Sequence, residues 1–303
     1  MKNLKAFAWF VLAAAVVSTL DAETRCPGNV ASVPLRLVNG YQMIVAVSLN
    51  NSAPYDFLLD TGTQFSMIDP ALASELHVKT VQGSIPIEGM GFQSTASTAR
   101  LDHLTIGSHG VANMEAVVYN LRNLRSLNLK VSGILGEDFL QHFDMLIDNA
   151  HRQLCLDNSG AMRANVKGSH IALAAWSKTD DVPPNSLIVS VHLSGATRPI
   201  RLKIDSGANA AFLYDTGQYM IVGSFRGTSF HGSGADGKQQ SFVTLPLQQA
   251  SIGYLQLPNL KFFTLANAQK MDPPSYFDGL LNTGLFRRVF ICHAEHFAVL
   301  EPR

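Results

Sequence analysis

The sequence predicts an all-β protein built from two copies of one unit. Three observations carry this. An Asp, a hydroxyl residue and a Gly follow an apolar run twice, in "LLDTGT" and "KIDSGA", with Asp60 and Asp205 lying 145 residues apart. An alternating apolar and polar stretch precedes each, "MIVAVSLN" from Met43 and "LIVSVHLS" from Leu187, in the pattern of a half-buried strand. A third pair follows at nearly the same offset: "SGILGEDFL" from Ser132 and "DGLLNTGLF" from Asp278, which places Gly136 opposite Asn282. A lone D-[ST]-G is a common surface turn, whereas three matched landmarks in register signal a repeat.

The elements follow in order. Residues 1–22 read as a signal peptide: Lys2 and Lys5 precede an uncharged apolar run from Ala6 to Leu20. That run is short against the roughly 20 residues of a membrane span. The alternative reading is an uncleaved anchor, because Leu20 sits where a cleavage site after Ala22 wants a small residue. Export to the periplasm or the medium is the expected localisation. The first unit runs from Asn29 to Val166 and the second from Lys167 to Arg303. Helical pattern is scarce, confined to "PALASEL" from Pro70 and "EDFLQHF" from Glu137. Many short strands separated by Gly and Pro turns imply an all-β architecture. Two turn-rich stretches, "IEGMGFQST" from Ile87 and "FHGSGADGK" from Phe230, read as hairpins. "FFTL" from Phe262 and "FAVL" from Phe297 read as core strands.

Composition narrows the function. Of 303 residues 47% are hydrophobic and 15% charged, and the formal net charge is zero. Phosphate binding depends on clustered cations, so nucleic acid is not an expected partner. The three cysteines, Cys26, Cys155 and Cys292, allow three single pairings with one thiol left over, or none. No C-x-x-C occurs, and His293 and His296 in "HAEH" lack the spacing of a zinc helix, so they read as surface histidines and no metal is expected. Gly232, Gly234 and Gly237 spell G-x-G-x-x-G, but "KQQSFVTLPL" after it reads as a strand, not the helix that a dinucleotide site requires. Asn50-Asn51-Ser52 has the form of a glycosylation sequon.

The paired motifs carry the chemistry. Two carboxylates about 3 Å apart cannot both ionise cheaply, so such a pair holds one proton. Its ionised member can take a proton from water while its protonated member donates to a carbonyl, supplying general base and general acid together. On "LLDTGT", "KIDSGA", the two apolar Gly/Asn segments and the two Gly-rich hairpins, the chain resembles a two-lobed aspartic peptidase of the pepsin type, with units short enough to resemble the retroviral peptidases too. The resemblance implies a pseudo-twofold pair of barrel-like lobes with a cleft between them, a monomer, no cofactor and a polypeptide substrate. It implies that Asp60 and Asp205 are the catalytic dyad. Thr61, Gly62, Thr63, Ser206 and Gly207 would support it, with Thr61 and Ser206 bonded across the lobes. Gly89, Met90, Gly91, Phe92, Gly232 and Gly234 would form flaps over substrate.

Departures from the pattern are visible. No tyrosine stands near Gly89, where the pepsin pattern has one on its flap; Phe92 is the nearest aromatic. Asn282 replaces a glycine. Thr63 offers a hydroxyl to Asp60 while the matching Ala208 has none for Asp205, and a lost donor raises a carboxyl pKa, so weakly acidic activity is expected. A catalytically silent peptide-binding or assembly module with the same fold is the rival reading, and a membrane-tethered enzyme is another.

Overall fold

The computed structural model describes residues 26–89, 92–126, 129–174, 182, 185–214, 229–233, 239–266 and 276–303. The expected signal segment, and Met90, Gly91 and Gly234 of the expected flaps, lie outside the described residues. The chain is all-β, with strands ordered into an eight-stranded, a nine-stranded and a six-stranded sheet. The two helical stretches read from sequence are one-turn or two-turn helices, Pro70–Glu75 and Glu137–Leu140. Asp69 caps the first, accepting from the Ala71 N–H at 3.0 Å, while Pro70 occupies its first position, where no N–H is needed.

The eight-stranded sheet takes its strands from residues 36–135 and the nine-stranded sheet from residues 188–282. Their central pairings correspond. In the first, Gln42–Leu49 runs antiparallel to Tyr55–Leu59, which runs parallel to Gly133–Leu135. In the second, Ile188–Leu193 runs antiparallel to Ile200–Asp205, which runs parallel to Gly279–Asn282. Each inner strand is flanked on both sides: Phe57, Leu58 and Leu59 are buried on both faces of the first, whereas the second buries Leu202 and Ile204 on one face and carries Arg201 and Lys203 on the other.

The six-stranded sheet joins the two halves. Asp144–Asp148 pairs with Phe286–Cys292, which pairs with Phe297–Pro302, the core strand expected at "FAVL". Ser32–Pro34 and Ile171–Ala172 are its edges. One apolar core runs through both halves, from Val45, Leu59 and Phe139 to Val189, Ile204 and Ile291.

Of the three cysteine pairings open in the sequence, the fold makes Cys26–Cys155 and leaves Cys292 as a buried thiol. The bridge closes a separation of 129 residues and fixes the chain entry to the six-stranded sheet, where Ser32 already pairs with Cys155. Asn50 of the sequon uses its side chain internally: its Oδ1 accepts from the Asp102 and His103 N–H groups at 2.8 and 3.2 Å.

Candidate active site

Both acids leave the sheets at corresponding places. Tyr55–Leu59 ends one residue before Asp60, whose N–H donates to Leu135 O at 3.0 Å. Ile200–Asp205 ends on Asp205, which pairs in register with Asn282. At a strand end the ladder stops, and the side chain turns out of the apolar layer that buried its predecessors.

The two loops that follow are bolted together. Thr61 is fully buried; its hydroxyl donates to Ile204 O at 3.0 Å and accepts from the Ser206 N–H at 3.0 Å. Ser206 returns the same pair, its hydroxyl donating to Leu59 O at 2.9 Å and accepting from the Thr61 N–H at 3.0 Å. Four hydrogen bonds thus satisfy buried backbone of each loop with the hydroxyl of the other. The interlock expected from the resemblance is present in this geometry.

The glycines explain how closely the acids approach. A Cβ built on Gly62 would lie 2.5 Å from Cγ of Asp205, and one built on Gly207 would lie 2.5 Å from Cγ of Asp60. Each loop therefore lays its glycine against the other loop's carboxylate, a contact that no residue with a side chain could make. The Gly62 N–H donates to Asp60 Oδ1 at 2.8 Å, and the Gly207 and Ala208 N–H groups donate to Asp205 Oδ1 at 2.7 and 2.9 Å.

Electrostatics follow from that packing. Burial, and then the charge of Asp205, push Asp60 up to about 7. Asp205 is also raised, chiefly by burial, against the Ala208 N–H, the Lys203 charge and the Gly207 N–H, which all favour its ionised form. The two carboxyls act on one another, so their titration belongs to the pair. Buried Tyr214 is held well above the usual phenol range by burial, with Asp205 adding to the shift.

Thr63 departs from expectation. Its hydroxyl donates to Phe65 O at 3.3 Å instead of to Asp60, because the loop turns back at that point and carries its side chain along the chain. Backbone N–H groups hold both carboxylates, so a missing hydroxyl at Ala208 is not what raises them: burial raises both, and the charge of Asp205 adds to the shift of Asp60. The first loop is braced from behind. Thr63 O and Gln64 O accept from the Glu137 and Asp138 N–H groups at 3.1 and 3.0 Å. The Ser66 hydroxyl donates to Asp138 Oδ1 at 2.5 Å and accepts from the Gly136 N–H at 3.1 Å. A Cβ on Gly136 would come within 2.7 Å of the Phe65 backbone. In the second half Asn282 fills this place and its Nδ2 donates to Ala208 O, so the added bulk is bonded to the loop it backs.

His293 is a correction. It is 7% exposed, not a surface histidine, because both ring nitrogens find buried partners, Phe143 O at 2.6 Å and Glu137 Oε2 at 3.0 Å. His296 is exposed, as the sequence suggested.

The two Gly-rich stretches are hairpins. Thr80–Gly89 pairs with Phe92–Ile106, closing at Gly89 opposite Phe92. Ser229–Ser233 pairs with Gln239–Thr244, with Gly232 opposite Gln240. The G-x-G-x-x-G run thus begins in a strand and is followed by one.

Sequence reasoning passed over Lys203. Its Nζ donates to Gly62 O at 2.7 Å and its charge acts on both acids. The signal was present: a lysine stands in "LKIDSGA" where the first repeat has Leu58.

Residues 45–139, which contain Asp60, Thr61, Gly62 and Gly136, match the model of the aspartyl protease family. A search of the curated proteins finds no match. With the loop architecture around Asp60, this match makes residues 45–139 similar to the aspartyl protease family, and it supports reading the chain as an aspartic peptidase family member.

Proposed function

We propose that this protein is an aspartic endopeptidase that hydrolyses peptide bonds with a water activated by Asp60 and Asp205. The observation that carries the reading is the reciprocal packing of Gly62 on Asp205 and Gly207 on Asp60. It brings the loops that carry two acids from distant parts of one chain against each other's carboxylates, which supports reading them as one pair able to share a proton. The corresponding pairings of residues 29–166 and 167–303 support a two-lobed arrangement in which one chain supplies both acids, as a monomer can.

In the proposed reaction the ionised carboxylate takes a proton from water as the oxygen attacks the scissile carbonyl carbon. The protonated partner gives its proton to the carbonyl oxygen, forming a gem-diol. The carboxyl that gained the water's proton then delivers one to the leaving nitrogen, the C–N bond breaks, and a diol hydroxyl returns a proton to the other carboxylate. Interlocked backbone keeps both acids placed throughout, so little reorganisation is needed. Substrate would lie extended beneath the hairpins closed by Gly89–Phe92 and by Gly232 and its neighbours, with backbone hydrogen bonds and apolar pockets as its contacts.

The sign of the pH dependence follows from the raised pair. Above about 7 the shared proton is lost, no acid remains to protonate the carbonyl, and activity falls. At strongly acidic pH both carboxyls are protonated and no base remains. Cleavage of a denatured protein should peak at weakly acidic pH. A peptide with a secondary hydroxyl in place of the scissile carbonyl should block it, since that group occupies the water's place. A profile peaking below about pH 3, where unperturbed carboxyls would act, would count against the reading. Tight binding of that peptide without cleavage at any pH would favour the silent module.

The Cys26–Cys155 bridge supports export, because such bonds persist in oxidising compartments. The mature protein is expected to begin at residue 23 and to carry one titratable thiol, Cys292, after unfolding. An intact first residue by N-terminal sequencing would instead indicate the anchored form.

A further inference from the structure

Lys203 occupies a position that the first half fills with a buried leucine. Leu58 and Lys203 each stand two residues before an acid and each pair with an isoleucine of the neighbouring strand, Ile44 and Ile188. Leu58 packs in an apolar cluster with Ile44, Leu129 and Ile134. Lys203 has apolar neighbours as well, with Ile188, Phe212, Phe277 and Leu280 clustered on its side of the sheet and its ammonium 5.9 Å from the centroid of the Phe277 ring. Burying the stem of a lysine there is tolerable only because the ammonium reaches out of the layer to an acceptor. That acceptor is Gly62 O, on the loop of the other half, at 2.7 Å.

We propose that Lys203 is a positioning residue of the dyad, tethering the Gly62 turn across the two halves and supplying the cation that keeps the acid pair from holding a second proton. Gly62 is the residue whose N–H donates to Asp60 and whose Cα abuts Asp205, so one ammonium fixes the turn that touches both acids. Among the described residues, the charged and titratable groups acting on the pair are Lys203 from the Ile200–Asp205 strand and Tyr214 from the segment after Ala211–Leu213; Tyr276 lies against Phe277 beyond them. Tyr214 is neutral across the working range, so among the described residues Lys203 is the cation that sets the charge balance. Its field lowers both carboxyl pKa values against the burial that raises them. A dyad whose acids are raised by burial needs such a cation if one carboxylate is to remain ionised at weakly acidic pH.

This inference rests on the dyad reading of Asp60 and Asp205, and its test is chosen to stand apart from peptidase activity. The protein is labelled with ¹³C at aspartate side-chain carboxyls, and the dyad resonances are assigned by their loss in Asp60→Asn and Asp205→Asn. Titration of Lys203→Met should move the dyad midpoints upward by about one pH unit, the usual scale for removing one neighbouring opposite charge. Lys203→Gln keeps a donor for Gly62 O but no charge and should shift them by the same amount. Lys203→Arg should leave them near the native values. The pH profile of kcat/KM should move in parallel. Unchanged midpoints in Lys203→Gln would overturn the electrostatic role, and they are decisive even if Lys203→Met does not fold. Shifted midpoints in a protein that cleaves nothing would uphold the role of Lys203 while defeating the peptidase reading.

Discussion

Asp60→Asn and Asp205→Asn are each expected to abolish peptide cleavage, by a factor of about 10³ or more, while leaving the protein folded. The size follows from the role: one group lost from a general acid–base pair costs about 10²–10⁴ in rate, and here either substitution removes both functions, because they belong to one shared proton. The amide is close in size to the carboxylate and can still accept from the Gly62 or Gly207 N–H, so the interlocked loops need not move. Stability should go the other way. Both carboxyls are raised on folding, so the folded state binds more protons than the unfolded one, and wild-type stability falls as pH rises from the unfolded value of 3.8 through the folded value of about 7 for Asp60. The asparagine variants each lack one acid's share of this loss. Their melting temperatures should therefore exceed the wild type's by a margin that is small near pH 4 and grows towards pH 8 in calorimetry. Wild-type activity surviving in either variant would eliminate the dyad. A margin that shrinks with rising pH would show that the acids are not a strained pair.

Thr61→Val is expected to cost about 2–5 kcal/mol of stability, the scale for leaving a buried N–H and a buried carbonyl unpaired. Valine nearly matches threonine in shape, so the cavity term is small and the loss isolates the hydroxyl. The stranded groups are the Ser206 N–H and Ile204 O, both inside the interlock. Activity should fall by about 10², the cost of a displacement of roughly 1 Å between reacting groups. Ser206→Ala strands the Thr61 N–H and Leu59 O in the mirror sense, and the double variant should lose less than the sum of the two, since they share one network. Denaturant unfolding gives the stability and initial rates the activity. A valine variant as stable and active as the wild type would show that the four hydrogen bonds do not hold the loops together.

The site was legible in part because its chemistry is local. An acid at the end of an apolar run, followed by a hydroxyl and a glycine, is visible in six residues, and its recurrence 145 residues on named Asp60 and Asp205 as partners. Thr61 and Ser206 were readable on the same ground. Lys203 and His293 were not interpretable that way. A lysine inside an apolar strand looks like an exposed face, and a histidine in "HAEH" looks like surface, until the fold shows what each one meets. Gly62 O lies 141 residues from Lys203 and Glu137 lies 156 from His293. The Thr63 hydroxyl failed for a related reason: its partner depends on the path of a loop, which the residue type does not dictate.

What the sequence determined by itself was the strand-rich architecture, the paired motifs and the residue types able to share a proton. These rest on periodicity and on side-chain chemistry, which act over a few residues. Tertiary structure alone decided which cysteines join, that a six-stranded sheet draws on both halves, and that each glycine lies on the opposite acid. Those outcomes depend on segments more than a hundred residues apart packing at van der Waals distance, and the distance between two such segments is a property of the whole folded chain.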